Sequence, residues 1–526
     1  MKPHRLFLAC LALLSLSSVL QAAPQPEVDP ATGALISVET LRADDGFVRD
    51  YTPLRIVVSN QSDREINFTP QVHIWDYGSE SLTFNGPKTP VAAQSTRTIE
   101  MAISSRERNY ATLNEVYGFS INDPGTRNVL WSEAADRLIG AAREGELPQM
   151  DMRVLPQRLP HRFDGLLGLK ALALSANDWN GLDAEQQTAI RDWVRLGGHF
   201  IVADGAETGW TPDFWTGFGQ VDVIPGENMI ALSARLDGTR TLPLALERID
   251  EHAFGMGKSL EIQDMLQPAR PPYGVLGGVV LLFAVIAGPG ALFALARPPR
   301  QHRLFLIVPA VSVAAVVLIL GISLAAEGLG SSGVAQRIHY LDAQQQRVMV
   351  TQAAEVRSRL LTNDRFSLPA EATLIHLPPD SEVFNYDQFQ QERIEVTPSS
   401  ASGILKSRAL TSHRIVGSYP TQMKLQLVEG ATPELVSLLP AKLDQVWLKD
   451  ARGRFWKTTN LRLSERRALE PADADEVPLS LKSMPVGTPV YLAVGEMERP
   501  LFEPAKEIDW LAIEDVFYGT PEVLRP

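Results

Sequence analysis

Short polar side chains gather where two apolar runs end. Ser175, Asn177 and Asp178 close the run from Lys170, and Asp204, Gly205 and Glu207 follow the run from His199 to Ala203. Ser175, Asp178, Asp204 and Glu207 are the candidate ligand-binding residues. Short carboxylates and hydroxyls at such an edge can take up a cation, a sugar or a peptide amine. The same residue types also serve as helix caps and ordinary loop polarity. His161 and His199 are the imidazoles of this region, and a lone His opening an apolar strand reads as a hydrogen-bonded structural residue. No His-x-x-x-His, Cys-x-x-Cys or Asp-x-Asp-x-Asp-Gly spacing points to a metal. No Gly-x-Ser-x-Gly elbow, phosphate loop or dinucleotide fingerprint occurs. The expectation is no catalytic residue, no metal and no cofactor.

A second candidate is aromatic. Trp210, Phe214, Trp215 and Phe218 stand close together among Gly, Thr, Pro and Asp. Such a group either packs beneath a loop or forms a patch for a partner protein or a membrane interface.

The surrounding pattern says which elements carry these residues. Val129–Trp131, Met150–Leu155, Lys170–Ser175 and His199–Ala203 read as short strands, and Ser132 opens a helical pattern to Arg143. Asp183 with Gln186 three residues on is a capping box, followed by an apolar face of Ala189, Ile190, Trp193 and Val194 and a Gly197-Gly198 stop. Strands alternating with helices imply a mostly parallel sheet, whose ligands lie at the carboxyl ends of the strands.

The segment Leu182–Val202, with its Trp193-Val194-x-x-Gly197-Gly198 pattern, resembles the helix–strand signature of class I glutamine amidotransferase-like domains. It is similar in particular to divergent exported copies in uncharacterised bacterial membrane proteins. Gly288-Pro289, then Arg297, Arg300 and Arg303, then another apolar run, resembles that group too. The resemblance implies a flavodoxin-like fold for residues 106–265. Enzymatic members of the family use a Cys nucleophile with a His and an acid. The only cysteine here is Cys10, so the resemblance implies a fold without that activity.

Cys10 falls in residues 1–23, a secretory leader by pattern. Lys2 and Arg5 precede the uncharged run Leu6–Leu20, and Ala22-Ala23 offers a cleavage site. Cleavage removes both cations and takes the net charge from -13 to -15. Loss of Cys10 excludes disulfides and thiolate chemistry from the mature chain. No charge occurs from Pro271 to Ala296, or from Leu304 to Ala325. Each run is long enough to cross a bilayer at 1.5 Å per residue. The expected spans are 274–296 and 304–326. The loop 297–303 carries Arg297, Arg300 and Arg303 without an acid, which places it in the cytoplasm and both flanks outside. Neither span holds an acid or a lysine, so a proton path through them is not expected.

Residues 24–105 and 337–526 alternate in short β-branched runs separated by turn residues, as all-β domains do. The excess of acids over bases excludes a general nucleic-acid binder. The expected fold class is multidomain α/β plus all-β: an N-terminal β-sandwich, a flavodoxin-like domain, a two-helix transmembrane hairpin and a C-terminal β-sandwich-like domain. The expected role is a non-enzymatic protein of the bacterial cytoplasmic membrane. It would hold two extracytoplasmic modules for an envelope protein partner or a small-molecule ligand of unknown identity, with the lipid bilayer as its other partner. The alternatives are an accessory subunit of an envelope transport or export complex, and a hydrolase-like enzyme at the α/β sheet edge.

Overall fold

The computed structural model describes residues 26–39, 50–76, 79–105, 109–113, 117–121, 129–135, 153–204, 210, 214–216, 219–224, 273–290, 293, 304–327, 331–343, 346–358, 366–369, 372–377, 394–397, 399–402, 410–430, 432–482, 487–497 and 508–524. The expected leader at 1–23 and Arg297, Arg300 and Arg303 lie outside them, as do Glu207 and Phe218. The chain is largely β-sheet, arranged in several sheets. It divides into one unit of Met1–Ala245 with Gln391–Arg393, and another of Leu246–Gln390 with Ile394–Pro526.

In the first unit, Glu27–Val28, Leu35–Glu39, Asp50–Asn60 and Ser95–Ser105 form an antiparallel sheet in that order. Side chains alternate across a strand, so Ile36 and Val38, Leu54, Ile56 and Val58, and Ile99 and Ile103 share one buried face. Gln71–Asp76 pairs with Ser79–Asn85 on one side and Asn109–Leu113 on the other, and Tyr117–Ile121 adds to the latter. Asn109–Leu113 and Tyr117–Ile121, which follow residue 105, thus pair into the sheet of Gln71–Asp76.

The next sheet is mostly parallel. Its order is Arg153–Val154, Val129–Ser132, Ala171–Ser175, His199–Ala203 and Gly219–Ile224, with Phe214–Thr216 antiparallel at the edge. Ala171–Ser175 and His199–Ala203 are buried at every residue, as central parallel strands are. Helix α1, Ala176–Gly181, and helix α2, Ala184–Arg195, join them. The capping box at Asp183 and Gln186 forms as the spacing predicts. Gly197 then takes φ +109°, a left-handed turn that a side chain resists. At Gly219 a Cβ would stand 1.9 Å from the Val194 carbonyl oxygen, so glycine alone lets the strand pass the end of α2.

The first described element of the second unit is helix α3, Tyr273–Val285, which runs into a π-helical turn at Ile286–Gly290 containing Pro289. Pro lacks the amide that the α-pattern needs, which accounts for the widened turn. Helix α4, Leu304–Glu327, contains Pro309 and touches α3. Among the described residues one helix, Tyr273–Gly290, is long and apolar enough to cross a membrane, and a shorter apolar stretch, Val308–Ile322, lies within α4.

After α4 in the chain comes a nine-stranded sheet. From one edge its strands are Ala372–Leu377, Leu410–Pro420, Arg347–Ser358, Ser331–Asp342, Ile508–Thr520, Val490–Met497, Ala441–Lys449, Phe455–Leu461 and Glu470–Pro471. The pair Ser331–Asp342 with Ile508–Thr520 is parallel, and its neighbours are antiparallel. Arg466–Ala468, Glu434–Ser437, Leu425–Val428 and Glu522–Leu524 make a smaller sheet. The hairpin of Ala441–Lys449 and Phe455–Leu461 turns at Asp450, whose carboxylate accepts the amides of Arg452 and Arg454, both at 2.9 Å.

Candidate functional site

The carboxyl ends of the parallel strands bring Ser132, Ser175 and Asp178 together. Ser175 ends its strand and caps α1, so the chain must leave the sheet and start a helix within one residue. The Asp178 amide donates to Ser175 Oγ at 3.1 Å, and Ser175 Oγ donates to Asp178 Oδ2 at 2.7 Å. The Ser175 amide donates to the same oxygen at 3.2 Å. Ser132 Oγ, from the neighbouring strand, donates to it as well, and itself accepts the Ala135 amide at 3.2 Å. One carboxylate oxygen thus ties two strand ends and a helix N-terminus. Among the described residues neither serine hydrogen-bonds a histidine, the near-neutral base that would activate a hydroxyl. The arrangement can orient a polar ligand at the edge, and it stiffens that edge.

Asp204 directly follows the next strand, exposed, with φ +57°, its amide donating to the Ile224 carbonyl at 2.8 Å. Asn and Asp tolerate this left-handed conformation better than most residues. Ser175 and Asp204 therefore stand at the ends of adjacent strands.

Of the aromatic group, Trp210 packs edge-on against Trp179 and Phe200, with ring centroids 5.4 and 5.8 Å away. The Arg191 guanidinium from α2 lies 5.5 Å from the Trp179 ring and 5.7 Å from the Trp210 ring. Burial and the nearby Arg195 charge lower the pKa of Arg191 without threatening its charge. Phe214 and Trp215 lie on the edge strand Phe214–Thr216.

Three charged clusters went unforeseen in the sequence. At the opposite end of the parallel sheet, His199 Nε2 meets Asp222 Oδ2 at 2.8 Å, both residues buried, and Gln220 Nε2 donates to Asp222 Oδ1 at 2.7 Å. In the second unit Arg337 Nη2 donates to Asp515 Oδ2 at 2.8 Å, His339 Nε2 lies 2.8 Å from Oδ1, and the Met497 amide donates to Oδ2 at 2.9 Å. His339 stacks on Phe517 at 4.7 Å. Burial pushes the Asp515 carboxyl up, but His339, Arg337 and the Met497 amide outweigh it and hold the pKa below the usual range.

The third cluster joins a strand of the first unit to the start of α2. His161 Nδ1 lies 2.8 Å from Glu100 Oε1 and Nε2 lies 2.9 Å from Asp183 Oδ2, while its amide donates to Glu100 Oε2 at 3.0 Å. Glu100 belongs to Ser95–Ser105 and Asp183 caps α2, so the imidazole bridges them. Partial burial lowers the His161 pKa, but the hydrogen bonds and charges of Glu100 and then Asp183 outweigh it and raise it. Asp183 is lowered by the Gln186 amide, against slight burial, and by His161. The sequence signals are faint: Gln220-x-Asp222 and Arg337-x-His339 each put two polar residues on one face of a strand, but their partners are remote.

No protein-family model matches the chain, and no curated protein matches it either. Among solved structures, a Paenibacillus sp. cycloisomaltooligosaccharide glucanotransferase is similar over 34% of this chain and 28% of its own, at 9% identity and TM-score 0.17. The yeast delta-COP-I mu-homology domain, complexed with a Dsl1 peptide, matches 38% of this chain and 98% of its own at 9% identity and TM-score 0.19. The Danio rerio Fcho1 mu-homology domain with bound Eps15 peptide matches 38% and 99% at 8% identity and TM-score 0.19. Scores this low carry no argument about fold or function.

Proposed function

We propose that the chain is a membrane-anchored envelope protein without enzymatic activity, presenting two extracytoplasmic modules to a partner protein or an envelope ligand. One observation carries the reading. Helices α3 and α4 leave large apolar side chains uncovered, including Leu281 at 69%, Leu306 at 73% and Val317 at 62% exposure. Water does not tolerate a surface of that extent, and a bilayer does. Tyr273–Gly290 spans about 27 Å at 1.5 Å per residue, close to the hydrocarbon thickness. Read as a transmembrane hairpin with α4, it holds Arg297, Arg300 and Arg303 in the cytoplasm and sends both flanks outward, as the leader does.

On this reading the parallel sheet is a flavodoxin-like, glutamine amidotransferase-like domain that has lost its cysteine chemistry, flanked by β-sandwich modules. Among the described residues neither Ser132 nor Ser175 pairs with a histidine, both being engaged by Asp178, and this supports binding over catalysis. Reporter fusions after Ile224 and after Leu524 test the topology. Activity of an exported reporter at both positions is expected, and cytoplasmic activity at either overturns the reading. The site reading is tested separately, by asking whether Asp204→Ala abolishes complementation of a deletion while the protein still accumulates in the membrane.

A further inference from the structure

The C-terminal sheet carries a feature placed by the chain itself near the end of α4. Four Cα steps separate Glu327, the first charge after the apolar run, from Ser331, where Ser331–Asp342 begins. Fully extended they reach about 14 Å. The intervening Gly328-Leu329-Gly330 contains no charged or polar side chain. The strand Ser331–Asp342 therefore starts close to the helix end, and Ile508–Thr520 runs parallel to it, with Ser331 opposite Ile508. Both strands thus begin at the same end of the sheet. At that end the register breaks: Gly333 faces Trp510, Val334 faces Ala512, and Leu511 is the extra residue of a β-bulge. The missing Cβ of Gly333 leaves room for the indole, since one built there would lie 2.8 Å from the Trp510 ring. Trp510 is half-buried, and Leu511 is 47% exposed although it is apolar. Tyr273, at the start of α3, is 75% exposed.

We propose that the Trp510–Leu511 bulge is a membrane-contact site that rests in the headgroup layer of the bilayer holding α3 and α4, with Tyr273 at the same level. This rests on the reading of those helices as membrane spans. The bulge stands two residues along the strand from the Ser331–Ile508 pair, about 7 Å at strand rise. Trp and Tyr prefer this layer because the ring is apolar while its N–H or O–H stays wet, and a bulge re-aims a side chain that regular pleating would place elsewhere. The contact fixes the tilt of the sheet over the membrane.

The test uses the full chain carrying Cys10→Ser, reconstituted in phosphatidylcholine–phosphatidylglycerol vesicles. Single cysteines at Leu511, at Val316 in α4, and at Ala451 in the distal hairpin turn carry an environment-sensitive fluorophore. Spin-labelled lipids quench it at headgroup or deep acyl level. Leu511 is exposed, so its cysteine variant keeps the fold. The expected result is quenching at Val316 by the deep label, blue-shifted emission and quenching at Leu511 by the headgroup label, and neither at Ala451. If Val316 is quenched while Leu511 behaves like Ala451, or is shielded from lipid and water quenchers alike by a protein partner, the contact site is wrong and the spans stand. If Val316 itself is not quenched, the membrane reading fails and the contact site falls with it.

Discussion

Asp178 joins two strand ends to a helix start through a single carboxylate oxygen. Its spacing from Ser175 is that of a capping box, and the same oxygen also receives Ser132 from the neighbouring strand. Removing it strands two hydroxyls and an amide that are partly or wholly buried. Asp178→Ala should therefore cost about 1–3 kcal/mol, the range for losing a cap and leaving buried donors unpaired. Denaturant unfolding measures this, and a change within about 0.5 kcal/mol, the size of an ordinary surface substitution, would contradict the assignment. The Ser175 cap is legible from local spacing; Ser132 as a donor is not, because parallel neighbours are separated by a crossover.

The His161 bridge acts between elements, fastening the strand Ser95–Ser105 to the start of α2. Its pKa is raised above the ordinary 6.5, so its contribution is complete below that value and is lost as pH rises through the raised value. Asp183, lowered from its ordinary 3.8, works in the opposite sense and loses its contribution only as pH falls through its depressed value. The bridge is therefore strongest in mildly acidic solution. Thermal unfolding from pH 5.5 to 8.5 should show stability falling with pH in the wild type, and His161→Gln should remove that component. With Asp183 53% exposed, the effect is at most about 1 kcal/mol. An unchanged pH profile in the variant would show that the bridge carries no linked proton.

At the scale of the whole molecule, the proposed insertion of α3 and α4 into a bilayer would outweigh any single polar contact. Leu281 is 69% exposed in the middle of α3, and a lysine at the centre of a span costs about 2.5–3.5 kcal/mol on the insertion scale. Leu281→Lys should move the protein from the membrane pellet into the alkali-extractable fraction, while Leu463→Lys, at a leucine 48% exposed in the C-terminal unit, should leave it in place. Equal retention of both variants would mean that α3 does not hold the chain in the bilayer.

What the amino-acid order determined by itself is whatever depends on near neighbours: the uncharged runs of α3 and α4, the capping box at Asp183, the Gly197-Gly198 stop, and the turn at Asp450. Each is decided within a few residues, where solvation, backbone dihedrals and local hydrogen bonds dominate. Tertiary structure alone decided that Tyr117–Ile121 joins the sheet of Gln71–Asp76, that Gly219 must clear the Val194 carbonyl, and that Glu100, His161 and Asp183 meet. It also decided that Asp515 reaches Arg337 across 178 positions of chain. Register between remote strands is set by the sum of many weak side-chain contacts over a whole face. No window of sequence holds that sum, so the charged clusters became visible only once the sheets were assembled.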